Sequence, residues 1–369
     1  MSYPTTCLAA VLTDFRKPVE LRELPVPALE EDAILVRVSA ATMCGTDVHI
    51  ADGQLSGPAL AKLPLILGHE IVGTVVALGP SRRTDSLGRP LAEGDLIAWS
   101  YSFCDRCYWC TVAKQPTLCD NRRMYGWGPA DVSPGLTGGF AEYAYVMPRC
   151  RVVKVPPELD PKVAASATCA LRTAVHAFES IGPLRPSDTV VIQGTGPVGL
   201  YATAYALAAG AGQVISIGAP AQRLAIARRW GADHVLDVAS TTAAQRREAV
   251  LESTSGRGAD VVVECAGVAD AFSESLEMVR RGGKVAVVGA SDPTPSMVSA
   301  TNFNLRQIAV VGTVAADVSH YHRALEFLVR QRTRFDFNAI LGERFDLDQV
   351  DAALDSVRGG AMKPTVAMG

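Results

Sequence analysis

Metal-donor and proton-carrying side chains crowd into two short stretches, Met43-Cys44-Gly45-Thr46-Asp47-Val48-His49 and Gly68-His69-Glu70. Cys44, His69 and Glu70 offer a soft, a borderline and a hard metal donor. A metal that must be held and also reached by substrate wants such a mixture, with one position left open. Thr46 and His49 add a hydroxyl and an imidazole able to move a proton. These residues point to a catalytic zinc. Alone, they fit equally well a buried cysteine with two structural histidines, so the rest of the chain has to decide.

A second group of donors reads Cys104-x2-Cys107-x2-Cys110-x8-Cys119. Four thiolates at this spacing can wrap one tetrahedral zinc, and four protein ligands leave no place for substrate. The expectation is a structural metal. A redox Cys-x-x-Cys pair is the weaker rival, because no evident βαβ strand leads into it. An iron–sulfur cluster is weaker still, since bulky Tyr108 and Trp109 fill the spacing and no second cluster exists.

The third motif is Gly194-Thr195-Gly196-Pro197-Val198-Gly199, directly after the strand-like Thr189–Gln193 and before a helical run. In that context the glycines read as a dinucleotide turn. Gly194 makes the turn tight, Gly196 lets a pyrophosphate approach the backbone, and Gly199 lets the helix pack closely. An acid at the end of the next strand would select NAD through the adenosine ribose. Here Ile217-Gly218-Ala219-Pro220 has none and no Arg or Lys sits directly at the turn; Arg223 reads either as a group within reach of a 2′-phosphate or as a solvated helix residue. NAD and NADP both remain open.

The elements that must position these groups change texture along the chain. Residues 8 to 100 read as strands and turns, with the metal candidates between or beside the strands. From Asp188 onward, apolar strands alternate with helical runs, the pattern of a parallel sheet covered on both faces. The length, 369 residues, suits two domains. A net charge of -3 without a basic block argues against nucleic-acid binding. No apolar run reaches membrane-spanning length, and the N-terminus is no secretory signal. Nine cysteines, four of them clustered, indicate metal use in a reducing, cytoplasmic setting rather than a disulfide framework.

Together these residues resemble the zinc-dependent alcohol dehydrogenases of the medium-chain dehydrogenase/reductase superfamily, over nearly the whole chain. The resemblance implies an α/β protein with a GroES-like, mostly β catalytic domain at 1–157 and a Rossmann domain at 158–300. Residues 301–369 would end the Rossmann domain and return to the catalytic one. It implies two zincs per chain and NAD or NADP. Cys44, His69 and Cys169 match the catalytic zinc ligands, and Cys104, Cys107, Cys110 and Cys119 the structural zinc lobe, here with eight rather than seven residues in the last spacing. Glu70 matches a glutamate that can approach the metal. Asp47 matches the carboxylate that orients the ligand histidine. Thr46 and His49 match the hydroxyl and the distal histidine that carry the alcohol proton outward.

The Cys-Gly-Thr-Asp-Val-His form looks most like the polyol, threonine and bacterial secondary-alcohol branches. Trp99, Tyr101 and Trp127, with Met124 and Tyr125, fall near segments that line the family's substrate cleft. A large apolar pocket there would suit a cyclic or bulky secondary alcohol, including a terpenoid alcohol resembling hydroxycamphor. Several of these aromatics would serve equally as core packing. The expected partner is thus a small alcohol or ketone, with no nucleic acid and no membrane. The segment Val310–Val314 is expected to join copies into a homodimer or homotetramer, as in the family. The rivals are a zinc-free quinone or enoyl reductase, against which the metal donors argue, and a non-enzymatic dinucleotide sensor.

Overall fold

The computed structural model describes residues 3–55, 61–289, 295–296 and 298–368. The chain divides into two compact units. The first comprises Met1–Cys169, Ala315–Arg330 and Ile340–Gly369, and the second Ala170–Val314 and Gln331–Ala339. The first unit thus ends later than the expected 157/158 boundary. Helix Pro161–Ser166 packs its buried Val163, Ala164 and Ala165 on strands Ile34–Thr42 and Glu70–Leu78, so it belongs with them.

The first unit is mostly β. A small sheet pairs Thr6–Leu12 with Glu20–Pro25 and Leu65–Ile66. The larger sheet runs Arg344–Asp346, Thr365–Ala367, Ile34–Thr42, Glu70–Leu78, Leu96–Ser102, Cys150–Lys154, with Tyr143–Val146 also on Ile34–Thr42. Its register matters for the site, because Thr42 lies opposite Glu70 on one side and Thr365 on the other. Strand Ile34–Thr42 buries seven of its nine residues, with only Arg37 and Ser39 outward. That pattern marks a central strand covered on both faces over much of its length.

The second unit carries a six-stranded, all-parallel sheet. Its order is His234–Asp237, Gln213–Gly218, Thr189–Gln193, Ala259–Glu264, Val279–Val287, Ala309–Gly312. In chain order this is 3-2-1-4-5-6, the doubly wound arrangement whose ligand crevice opens where the order reverses. The reversal falls between Thr189–Gln193 and Ala259–Glu264, so the glycine turn follows one of the two strands that bound it. Helix Pro197–Ala208 starts earlier than its apolar run suggests, because Pro197 occupies the first helical position, where a missing N–H costs nothing. Helix Ala221–Trp230 ends on Gly231 at φ 107°, a left-handed cap. Among the described residues no helix is long and apolar enough to cross a membrane.

Candidate metal centre and dinucleotide turn

Cys44 does not lie in a plain strand connection. It precedes a seven-residue helix, Gly45–Ala51, that the pattern of the sequence did not reveal. The helix is short, and Asp47 helps to fix its start: its Oδ2 accepts from the Cys44 N–H at 3.0 Å. The same carboxylate binds the second stretch. Asp47 Oδ1 accepts from Gly68 N–H at 3.0 Å and lies 3.3 Å from His69 Nδ1. One buried acid thus holds Cys44 and His69 in mutual register. Cys169 comes from a π-helical segment, Ala167–Leu171, a rare geometry that recurs at functional sites.

These segments bring one donor atom each from Cys44, His69, Glu70 and Cys169 within 4.8 Å of one another. Cys44 Sγ and His69 Nε2 are 3.4 Å apart. Tetrahedral zinc with its usual Zn–S and Zn–N distances needs about 3.6 Å along that edge, close to the separation of this pair. The hydrogen bond to Cys169, then burial, pushes the Cys44 thiol up to about 12. The reciprocal bond from Cys44 holds Cys169 well below the usual thiol range despite its burial. Burial opposes a charged His69, yet Asp47 and the sulfurs raise it well above the usual imidazole range. The protons so held would leave on metal binding, since zinc takes both sulfurs as thiolates and His69 neutral.

Thr46 and His49 lie three residues apart on helix Gly45–Ala51, which puts them on one face, both half-buried. The His49 ring stands 3.8 Å from where a side chain on Gly45 would begin, and its Nδ1 bonds Gln54 Oε1. Glu70 is raised to about 7, chiefly by burial, with Lys363 pulling the other way. Lys363 and Thr42, each hydrogen-bonded to Glu70, were not singled out from sequence. The available signal was a lone lysine between Met362 and Pro364 in an apolar terminal run.

The second cysteine group closes despite its longer spacing. Cys107 Sγ is 3.6 Å from Cys110 Sγ and 3.9 Å from Cys119 Sγ. A tetrahedral four-thiolate zinc needs about 3.8 Å. Between Cys110 and Cys119 the chain ends helix Tyr108–Thr111, turns through Lys114 at a left-handed φ of 56° and makes the single turn Pro116–Leu118. Backbone N–H groups of Cys104 and Asn121 point at Cys119 Sγ at 3.3 and 3.4 Å and favour a thiolate, against the burial that raises this thiol overall.

In the second unit each motif glycine has a distinct reason. Gly194 has φ 96°, and a side chain on it would begin 2.8 Å from Ala266 N. On Gly199 it would begin 1.8 Å from Gly194 O, whereas on Gly196 it would meet nothing within 4 Å. Two glycines are therefore needed by the turn itself, while Gly196 leaves clear the space a pyrophosphate would take. Val198 lies on the first helical turn after Pro197. Gly218 is also required, since a side chain there would begin 2.4 Å from Thr195 Oγ1, which itself donates to Ala219 O at 3.1 Å. Arg223 is half-buried on helix Ala221–Trp230, and burial lowers its pKa. Glu264, also unmarked by the motif, ends its strand buried and accepts from Ala266 and Gly267 N–H groups at 2.7 and 2.8 Å, fixing the turn against Gly194.

Of the expected pocket aromatics, Trp99 and Tyr101 are buried at 4% and 7% exposure in the first unit's core. Trp99 stands edge-on to Tyr125, ring centroids 5.6 Å apart. Tyr125 is itself locked by its hydroxyl to Tyr145 O and Met147 N. Met124 and Trp127 instead line a 780 Å³ groove with Lys62, Asp120 and Arg123. The structure thus divides the set between core and groove.

Residues 30–157 match the alcohol dehydrogenase GroES-like domain and residues 197–330 the zinc-binding dehydrogenase domain. The chain is 32% identical to 5-exo-hydroxycamphor dehydrogenase of Pseudomonas putida, covering 97% of this chain and 98% of that one. An alcohol dehydrogenase from Thermotoga maritima superposes with TM-score 0.92 at 34% identity, over 98% and 99% of the two chains. A protein from Sinorhizobium meliloti, described as a zinc-binding dehydrogenase and solved bound to NADP, gives TM-score 0.85 at 28% identity over 99% and 100%. The chain belongs to the zinc-dependent alcohol dehydrogenases of the medium-chain dehydrogenase/reductase superfamily, enzymes that use zinc and NAD(P).

Proposed function

We propose that this alcohol dehydrogenase interconverts a cyclic or bulky secondary alcohol with its ketone. The observation that carries the substrate class is the near-complete alignment with 5-exo-hydroxycamphor dehydrogenase. In this reading Cys44, His69 and Cys169 hold the catalytic zinc, and the four lobe cysteines hold the structural one. Bound there, zinc supplies Lewis-acid chemistry at the alcohol oxygen, and NAD(P) supplies the hydride acceptor. Asp47 keeps the His69 ring oriented. The Thr46 hydroxyl takes the alcohol proton, and the His49 imidazole passes it outward. Gly194, Gly196 and Gly199 seat the pyrophosphate at the start of helix Pro197–Ala208.

The turn at Gly218–Pro220 lacks the acid that would repel a 2′-phosphate, so NADP is accepted alongside NAD. None of the nine cysteines is paired in a disulfide, which supports a reducing, cytoplasmic location. The edge strand Ala309–Gly312 supports pairing into a homodimer or homotetramer.

The test follows nicotinamide absorbance with NAD and with NADP against borneol-type cyclic alcohols, linear secondary alcohols, polyols and threonine. Highest kcat/KM on the cyclic alcohols is expected. The Cys-Gly-Thr-Asp-Val-His segment supports a second reading, a polyol or threonine dehydrogenase, and best turnover on those substrates would replace the first. Bound nucleotide without turnover on any alcohol would favour a dinucleotide sensor.

A further inference from the structure

Both oxygens of the Glu70 carboxylate are taken. Lys363 Nζ donates to Oε1, and Thr42 Oγ1 donates to Oε2 at 2.5 Å. The side chains of Lys363 and Glu70 are 1% and 0% exposed. A lysine gives up much hydration to sit there. Its backbone is also strained, with φ 42° in the left-handed region that suits glycine.

The segment bearing Lys363 is fixed on both sides. Gly342 N–H donates to Lys363 O at 2.9 Å, and Met43 N–H, next to the ligand Cys44, donates to Pro364 O at 3.0 Å. A side chain on Gly342 would begin 2.2 Å from Met362 O, so the close approach depends on that glycine. Thr42 is placed by strand register opposite Glu70. Two stretches far apart in sequence therefore converge on one carboxylate. Yet that carboxylate lies within 4.8 Å of the donors of Cys44, His69 and Cys169. It has the reach of a fourth ligand and is tied elsewhere.

We propose that Lys363 is a positioning residue that, with Thr42, keeps Glu70 in reserve beside the zinc, so that the fourth ligand position stays open to the alcohol. The proposal rests on the reading of Cys44, His69 and Cys169 as the zinc ligands. A lysine present only to neutralise a buried acid would leave the metal's surroundings indifferent to its removal.

The experiment uses the full-length holoenzyme and its Lys363→Met, Lys363→Arg and Thr42→Val variants. Each is exchanged with cadmium and examined by cadmium NMR, where four-thiolate and mixed sulfur–nitrogen sites give separate lines. Zinc release to a chelator is timed in parallel. In Lys363→Met, Glu70 joins the metal. The mixed-site line moves upfield while the four-thiolate line stays, zinc leaves that site more slowly, and kcat falls about tenfold. Lys363→Arg keeps the wild-type line. Adding Glu70→Gln to Lys363→Met returns the line to its wild-type position. Thr42→Val loosens one hold and shifts the line the same way by less, which provides the test if Lys363→Met fails to fold. An unmoved mixed-site line in Lys363→Met, or in Thr42→Val where only that variant folds, overturns the proposal. The line reports the metal whether or not any alcohol turns over. A missing mixed-site line in the wild type would instead sink the ligand assignment itself.

Discussion

Asp47 touches both donor-bearing stretches, at the Cys44 and Gly68 N–H groups and the His69 ring, without belonging to the donor group itself. It is fully buried, and burial opposes its charge. The His69 charge and the N–H groups of Cys44 and Gly68 more than offset that, holding its pKa below the usual carboxylate range. Asn at this position keeps the shape but loses the negative charge that orients and polarises the His69 ring. We expect Asp47→Asn to weaken zinc binding about 10- to 100-fold at one of two sites, measured as zinc per chain after dialysis against a graded chelator. The four-thiolate site should keep its metal. Cys169→Ser is sharper, because a neutral hydroxyl replaces a thiolate. One zinc per chain should remain, with kcat/KM down at least about a hundredfold. Retention of both zincs with full turnover would remove Cys169 from the ligand set.

At the scale of elements, the strand–turn–helix around Gly194 separates what the fold needs from what the cofactor needs. Gly199→Ala drives a methyl into Gly194 O and should cost ~1–3 kcal/mol of stability by overpacking. Gly196→Ala meets only open space, so its stability should stay within about 1 kcal/mol of wild type, while the KM for the dinucleotide rises. Thermal melts with and without cofactor distinguish the two. A second element test concerns helix Val318–Gln331, whose first turn is tied by Asp317 through Ser319 N–H and hydroxyl at 2.8 and 2.6 Å. Burial opposes its charge, but bonds with His320 and Ser319 keep the Asp317 pKa below its ordinary value. A depressed carboxylate adds stability above its unfolded pKa near 4 and loses it as pH falls through the folded value. Asp317→Ala should thus cost ~1 kcal/mol near neutrality in urea melts, a deficit that shrinks toward acid. These same elements show what sequence could reveal. The glycine turn, the alternation after Asp188 and the four lobe cysteines were legible because each is encoded within a few residues. Lys363 was not, because its partner Glu70 is 293 positions away and only strand register brings them together. Helix Gly45–Ala51 was hidden for a different reason: at two turns it carries too short a period to read, and the side chain that fixes its start also serves the metal site.

For the molecule as a whole, the six-stranded parallel sheet ends at strand Ala309–Gly312. Among the described residues, one row of its N–H and C=O groups lacks a strand partner. Edges of this kind are usually guarded by charge, proline or a covering element. This one instead shows Val310 at 37% exposure, with Val314 at 48% just beyond it. Antiparallel pairing of the strand with its own copy satisfies both rows at once, and such a contact is self-complementary and closes at two subunits. The Val310→Lys variant places like charges across that axis. We expect it to shift the mass in sedimentation equilibrium toward the monomer, while dinucleotide binding persists, because the glycine turn follows a different strand. Val112→Lys, on the exposed zinc lobe at 67% exposure, serves as the control and should leave the assembly unchanged. If Val310→Lys keeps the wild-type mass and Val112→Lys lowers it, the lobe rather than the sheet edge joins the subunits. Positive charge tolerated at both positions, with the assembly intact, would place the contact on neither.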